Sequence, residues 1–131
     1  MSVVIDVSAV MPWGVPDEDT DSTAPVRARV QREQAVVPSL FWFELANAVV
    51  RAERRGRITE EKGTEFLEFF DDVIADEAVP PASALAQLAR VHGLTAYDAA
   101  YLWVAQSRGL PLATLDGQLR AAATKAGIEV L

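Results

Sequence analysis

Four acidic residues, Asp6, Glu44, Asp98 and Asp116, stand in apolar company, where a lone carboxylate is costly. Asp6 directly follows the β-branched run Val3-Val4-Ile5, and Asp116 falls just past Leu112-Ala113-Thr114. Glu44 interrupts the otherwise apolar stretch Leu40-Phe41-Trp42-Phe43-Glu44-Leu45-Ala46. At about 100° per residue, Phe41, Leu45, Ala48, Val49 and Ala52 form one apolar helix face, and Trp42, Phe43, Ala46 and Val50 a second. Between them runs a narrow polar stripe of Glu44, Asn47 and Arg51. Asp98 has Leu102 and Ala105 on its own helical stripe, while Tyr101 and Trp103 fill other faces. An unpaired carboxylate in partly dry surroundings costs several kcal/mol or takes up a proton. A bound cation removes that cost, and hard ions such as Mg²⁺ or Mn²⁺ take oxygen ligands.

Taken singly, three of these acids have plainer explanations. Asp6 would satisfy loose amides in the turn after a strand, and Asp116 would cap a helix. Thr95-Ala96-Tyr97-Asp98 approximates a capping box, with Asp in place of the usual Glu or Gln. Glu44 has no such account. Of 19 acids, setting these four aside leaves fifteen against 12 bases, so much of the net charge of −7 is explained by site chemistry.

The rest of the composition narrows the chemistry. The chain has 131 residues, half of them hydrophobic and 24% charged, which suits a single globular domain spanning 1–131 with a substantial core. With no cysteine, a thiol nucleophile, a disulfide scaffold and cysteine-ligated metal sites are excluded. His92 is the single histidine, so a histidine-built metal centre is excluded too. It is most simply a cation at a helix C-terminus. The acidic balance argues against a nucleic-acid coat but not against an enzyme that acts on nucleic acid. No stretch approaches the roughly 20 apolar residues of a membrane span. Met1 to Asp6 carries no basic region of the kind that opens a signal peptide, so a cytoplasmic protein is expected.

Local patterns predict the elements that must position the acids. Strands are expected at Val3–Ile5, Ala35–Val37 (stopped by Pro38), Leu112–Thr114 and Ile128–Val130, with a weaker one between Val73 and Val79. Helices are expected at Val26–Arg32, at Leu40 to about Arg55 after Ser39 as N-cap, and from Thr59 through Phe66 and Phe70. Others are expected from Pro80-Pro81 to Gly93, Thr95–Arg108 and Asp116–Lys125. Pro12 to Pro25 is a polar break, and Asp17 to Asp21 a solvated acidic loop. Phe66, Phe69 and Phe70 should point inward. Alternating strands and helices predict an α/β domain with a mostly parallel sheet covered on both faces. Ligands of such sheets sit beyond the carboxyl ends of the strands, where Asp6 and Asp116 fall.

Four segments together resemble the motifs of the PIN-domain nucleases, in particular the VapC toxin branch of bacterial toxin–antitoxin pairs. They are Val3-Val4-Ile5-Asp6-Val7-Ser8-Ala9-Val10, Phe43-Glu44-Leu45-Ala46-Asn47, Thr95-Ala96-Tyr97-Asp98-Ala99-Ala100-Tyr101 and Leu112-Ala113-Thr114-Leu115-Asp116. They occur in the family's order and span nearly the whole chain. The resemblance implies a three-layer PIN-like α/β fold in which Asp6, Glu44, Asp98 and Asp116 converge on Mg²⁺ or Mn²⁺. It implies that Ser8 and Thr114 support the site by hydrogen bonding, with Asn47 nearby. The implied activity is endonucleolytic cleavage of RNA, with a metal-activated water attacking the phosphodiester. Implied partners are an RNA substrate, a VapB-type antitoxin and a second copy of the chain. One departure stands out: many relatives carry a basic residue where this chain has Pro12, just before Trp13, which removes a phosphate contact.

Arg51, Arg54, Arg55 and Arg57 form the one dense basic cluster, mostly cations favoured at a helix C-terminus. Arg51 shares the stripe with Glu44 and Asn47, which makes it a candidate contact for substrate phosphate or antitoxin. The second apolar face, Trp42, Phe43, Ala46 and Val50, is a candidate for the antitoxin or homodimer contact. A haloacid-dehalogenase-type phosphatase would want a second aspartate where Ser8 stands. A response-regulator receiver would want adjacent acids near the first strand and a late lysine. No glycine-rich nucleotide loop appears. The alternative from another class is a PIN-like module that only binds or regulates. Retention of all four acids in apolar settings disfavours it.

Overall fold

The computed structural model describes residues 1–18 and 21–131. Among them the chain forms β1 (Val3–Ile5), α1 (Val7–Gly14), α2 (Ala24–Glu33), β2 (Ala35–Pro38), α3 (Leu40–Arg54), α4 (Glu60–Val73), β3 (Ile74–Ala78), α5 (Ala82–His92), α6 (Ala96–Arg108), β4 (Leu112–Ala113) and α7 (Gly117–Lys125). The strands make one sheet of order β3-β2-β1-β4, and every pairing is parallel. Val4 lies between Val36 on one side and Leu112 on the other. Successive strand residues point to opposite faces, yet Val3, Val4, Ile5, Ala35, Val36 and Val37 are all buried. Both faces are therefore covered by helices, which gives the expected three layers.

The strand order sets the position of the site. From β1 the chain moves outward to β2 and β3, then returns to place β4 on the other side of β1. The order reverses at the β1–β4 boundary, and parallel sheets open a crevice outside the carboxyl ends of strands at such a point. Asp6 follows β1 and Thr114 follows β4, so both fall at that crevice.

Several expectations needed correction. The segment after Asp6 is a helix, α1, and it runs through Pro12, which is buried in its last half. The Pro12–Pro25 stretch is thus a break only after Gly14. Val7 to Gly14 was obscured because a proline inside a helix removes a donor and normally signals a stop. Pro38 is the last residue of β2, opposite Ala78. Ser39 does not cap α3 with its side chain, and its N–H instead donates to the Ala78 carbonyl at 2.9 Å. Ile128–Val130 is no strand. Val130 makes a single parallel bridge to Leu112, because β4 is only two residues long and offers little ladder to extend. Of the acidic loop, Asp17 and Asp21 are exposed, but Arg57 holds Asp17 and Glu18, each at 3.1 Å. Asp19 lies outside the described residues.

The core beneath α1, α3 and α4 is aromatic. Phe70, fully buried, packs against Trp13, Phe41, Phe66 and Phe69 with ring centroids 5.1–6.2 Å apart. Gly14 sits under the Phe66 ring, where a Cβ would come within 2.7 Å, so only glycine allows α1 and α4 to approach this closely. Phe66 and Phe69 are half-buried at the rim, and the inward set of α4 is as expected.

Candidate active site

Asp6 is built into the crevice by its own neighbours. It is the N-cap of α1, with Oδ1 accepting the Ala9 N–H at 3.1 Å. Ser8 Oγ donates to the same oxygen at 2.7 Å, and Thr114 Oγ1 donates to Oδ2 at 2.5 Å. Each hydroxyl is itself held from behind: Leu115 N–H donates to Ser8 Oγ at 2.9 Å, and Asp116 N–H to Thr114 Oγ1 at 3.1 Å. Two backbone amides thus orient two hydroxyls, whose single protons go to one carboxylate. A carboxylate offers about four lone-pair positions, so three donors leave one, on Oδ2.

The other three acids come from separate elements. Glu44, in the second turn of α3, accepts the Tyr101 hydroxyl on Oε1 at 2.5 Å. Tyr101 is almost fully buried in α6, and a buried phenol needs a partner for its O–H. Asp98 lies in the first turn of α6, where its N–H donates to Thr95 Oγ1 at 3.1 Å. Asp116 caps α7, with Oδ1 accepting Leu119 N–H at 2.9 Å. The capping explanations therefore hold for Asp6 and Asp116, where they occupy only one oxygen, whereas at Asp98 the cap uses the backbone N–H and not the carboxylate. Tyr101 was read as filling another face of its helix. Its spacing of three from Asp98, on the same side of α6, was the signal that it belongs beside the acids.

The acids feel one another. Burial pushes the Asp6 carboxyl above its usual value, outweighing its three hydrogen bonds, and Asp98 adds to the rise. Burial also raises Glu44, with contributions from Asp98 and Asp6, and raises Asp98, with a contribution from Asp116. Among the described residues none of the four makes an ion pair. The result is a concentration of acids without an ion pair among the described residues; Arg120, one turn after Asp116, donates instead to the Thr114 and Leu131 carbonyls at 2.8 and 3.0 Å.

This carries a pH prediction. A carboxyl whose folded pKa is raised stabilises the fold when protonated, and that contribution is lost as pH rises from the ordinary range near ~4 through the raised value. Asp17, Glu33 and Asp76 have the opposite sign, lowered by Arg57, Arg29 and Arg108, and weaken the fold only as pH falls below the ordinary range. Glu44→Gln keeps an acceptor for Tyr101 and removes one charge. In chelator, its melting temperature should match the parent's in acid and exceed it as pH rises above the ordinary carboxylate range, levelling off once Glu44 is ionised. A difference independent of pH would show that Glu44 is not under this electrostatic strain.

The remaining candidates are less central. Asn47, one turn after Glu44, is exposed. Arg51 is exposed about 10 Å further along α3 than Glu44, in a cleft with Met11, Glu18, Arg55 and Arg57. Trp42 packs back on the core and donates to Glu77 at 2.7 Å, so the second apolar face of α3 is partly absorbed by the fold itself. Phe43 remains 79% exposed. The donor set suits a hard divalent ion: four carboxylates, no sulfur or imidazole, and no competing cation. Among the described residues no three of these acids approach closely enough to form a closed cage on their own.

A parallel sheet with Asp6 at its switch point is consistent with the PIN domain, a family whose pattern matches residues 3–125, and the chain belongs to that family. Within it the likeness runs to VapC proteins. Over 91% of this chain and 92% of the relative, the sequence is 33% identical to Ribonuclease VapC3 of Pyrobaculum aerophilum. It is 34% identical to Exonuclease VapC9 of the same organism, over 76% and 74%. The crystal structure of PAE2754 from Pyrobaculum aerophilum superposes with a TM-score of 0.75 at 27% identity, covering 93% of this chain and 84% of that one. The chain is thus an enzyme of a nuclease family, and nucleases of this family generally depend on a divalent metal.

Proposed function

We propose that this chain is an endoribonuclease toxin of a toxin–antitoxin pair, with Asp6, Glu44, Asp98 and Asp116 holding Mg²⁺ or Mn²⁺. The observation that carries the reading is that Asp6, held by the Ser8 and Thr114 hydroxyls and the Ala9 N–H, lies near enough to Asp98 and Glu44 for their charges to act on one another, with no ion pair to any of the four acids among the described residues. The ion, when bound, would lower the pKa of water and stabilise charge developing on phosphate oxygens. An arrangement without a closed protein cage suits an ion that keeps several of its waters, as Mg²⁺ does.

The chain's own residues do the positioning. Ser8, Thr114 and Ala9 N–H fix the Asp6 carboxylate and leave one Oδ2 lone pair for the ion. Tyr101 orients Glu44, and the α7 cap holds Asp116. Their role is to bind and orient, and no covalent nucleophile is required. Arg51, exposed on α3, is our candidate contact for substrate phosphate or a VapB-type antitoxin, and the outward Ala46 and Val50 for the antitoxin or a second copy of the chain. We place the protein in the cytoplasm, where its RNA substrates are; among the described residues no helix is long and apolar enough to cross a membrane. The silent-module reading leaves unexplained why two hydroxyls and an amide should hold a buried charge.

The test uses linear and circular forms of one RNA, incubated with purified protein in Mg²⁺ or Mn²⁺ and then in chelator. Opening of the circle, with cutting stopped by chelator, is expected. Loss of the linear form alone would mark an exonuclease, and cutting undiminished in chelator would exclude the metal site.

A further inference from the structure

Phe43 and Tyr97 each directly precede a site acid, Glu44 and Asp98, on two different helices. Both rings are displayed to solvent, at 79% and 67% exposure. They are brought to one place: Leu40, Phe43, Glu44 and Tyr97 line a single cleft of about 380 Å³. The cleft is apolar apart from Glu44 and the Tyr97 hydroxyl, so it has no cation that would recognise a phosphate. Neither ring contributes to the packed core, whose members include Phe41 and Tyr101 from the same two helices.

An exposed apolar cleft is costly to maintain unless something covers it. Here its wall is shared with a residue of the catalytic crevice. A phosphodiester placed at the acids would have a neighbouring base within reach of the two rings. Every nucleobase has a π-face that stacks on an aromatic side chain, and bases are free to do so where the strand is unpaired. We infer that Phe43 and Tyr97 form a stacking clamp, floored by Leu40, for one RNA base adjoining the scissile phosphate. The inference rests on the nuclease reading above and adds the residues that hold the base beside the cut.

The experiment is steady-state cleavage of a single-stranded RNA by the parent chain, Phe43→Ala, Tyr97→Ala and Tyr97→Phe, with Val91→Ala as an exposed apolar control on α5. Both alanine variants remove only surface rings from helices, so folding is preserved. Loss of one stacked base should raise KM by about 5- to 150-fold, with kcat little changed. Tyr97→Phe should restore the parent value, and Val91→Ala should not differ from it. The same RNA with an abasic site stepped through each position supplies a cycle. At one position beside the cut, the abasic RNA should raise KM for the parent chain but add nothing to the defect of Phe43→Ala.

Unchanged KM in both alanine variants would overturn the clamp while leaving the nuclease intact. So would abasic and alanine effects that multiply at every position. Variants that cut normally but lose self-association or antitoxin binding would assign the cleft to a protein partner instead. Failure of the parent chain to cut any RNA with metal would remove both the clamp and the nuclease reading.

Discussion

Asp98→Asn should lower RNA cleavage by ~10³-fold or more while leaving the fold intact. Mutating a residue that merely supports a metal ligand typically costs 10–100-fold, and removing one preorganised electrostatic contact at a reacting centre costs ~10²–10³. A group that both binds the ion and sets the charge of the site should exceed the first range. A 10³-fold loss corresponds to about 4 kcal/mol of transition-state stabilisation. Asparagine has nearly the same shape, and the hydrogen bond from the residue 98 N–H to Thr95 Oγ1 that starts α6 does not involve the carboxylate. The variant should therefore melt cooperatively, with circular dichroism like the parent's. Titration with Mn²⁺, followed by calorimetry, should show weaker binding. Full cleavage, or metal binding unaltered by the change, would remove Asp98 from the site.

Phe70→Ala should have the largest effect on stability, about 3–5 kcal/mol. The ring is fully buried and meets four other aromatic rings at 5.1–6.2 Å, so its removal leaves a cavity walled by rigid groups that collapse poorly. Since small domains are stable by only about 5–15 kcal/mol, that is a large part of the total. Urea denaturation should show the lowered midpoint, and Phe69→Ala, at the half-buried rim, should cost distinctly less. The loss should reach the active site as well. Trp13 lies on α1, which begins at Asp6, and Phe41 precedes Glu44 by three residues on α3. Loss of cleavage by Phe70→Ala at temperatures where it remains folded would report that displacement. Equal stabilities for the two variants would mean that Phe70 is not the keystone of this cluster.

Most elements were legible because the signals are local. Val3–Ile5 and Ala35–Val37 are β-branched runs ended by punctuation, α4 and α6 begin at threonine caps, and α5 and α6 end at left-handed glycines. α1 was missed where a tertiary effect overrode a local rule: Pro12 is tolerated because Asp6 caps the helix and the aromatic layer receives its other side. The last strand was overread because Ile128–Val130 has strand composition but meets a partner only two residues long.

What the amino-acid sequence determined by itself was the chemistry: four carboxylates set in apolar runs, no soft ligand, and an alternating pattern that demands a parallel sheet. These follow from residue type and from spacing along one element. Tertiary structure alone decided how the acids are held. Ser8 and Thr114 are 106 residues apart, Tyr101 and Glu44 57 apart, and Phe43 and Tyr97 lie on different helices. The first meeting depends on β4 returning to the side of β1 away from β2 and the others on α6 packing near α3, and no periodicity within a segment records either placement. Side-chain spacing declares what a helix or strand presents; the order of strands declares what it is presented to.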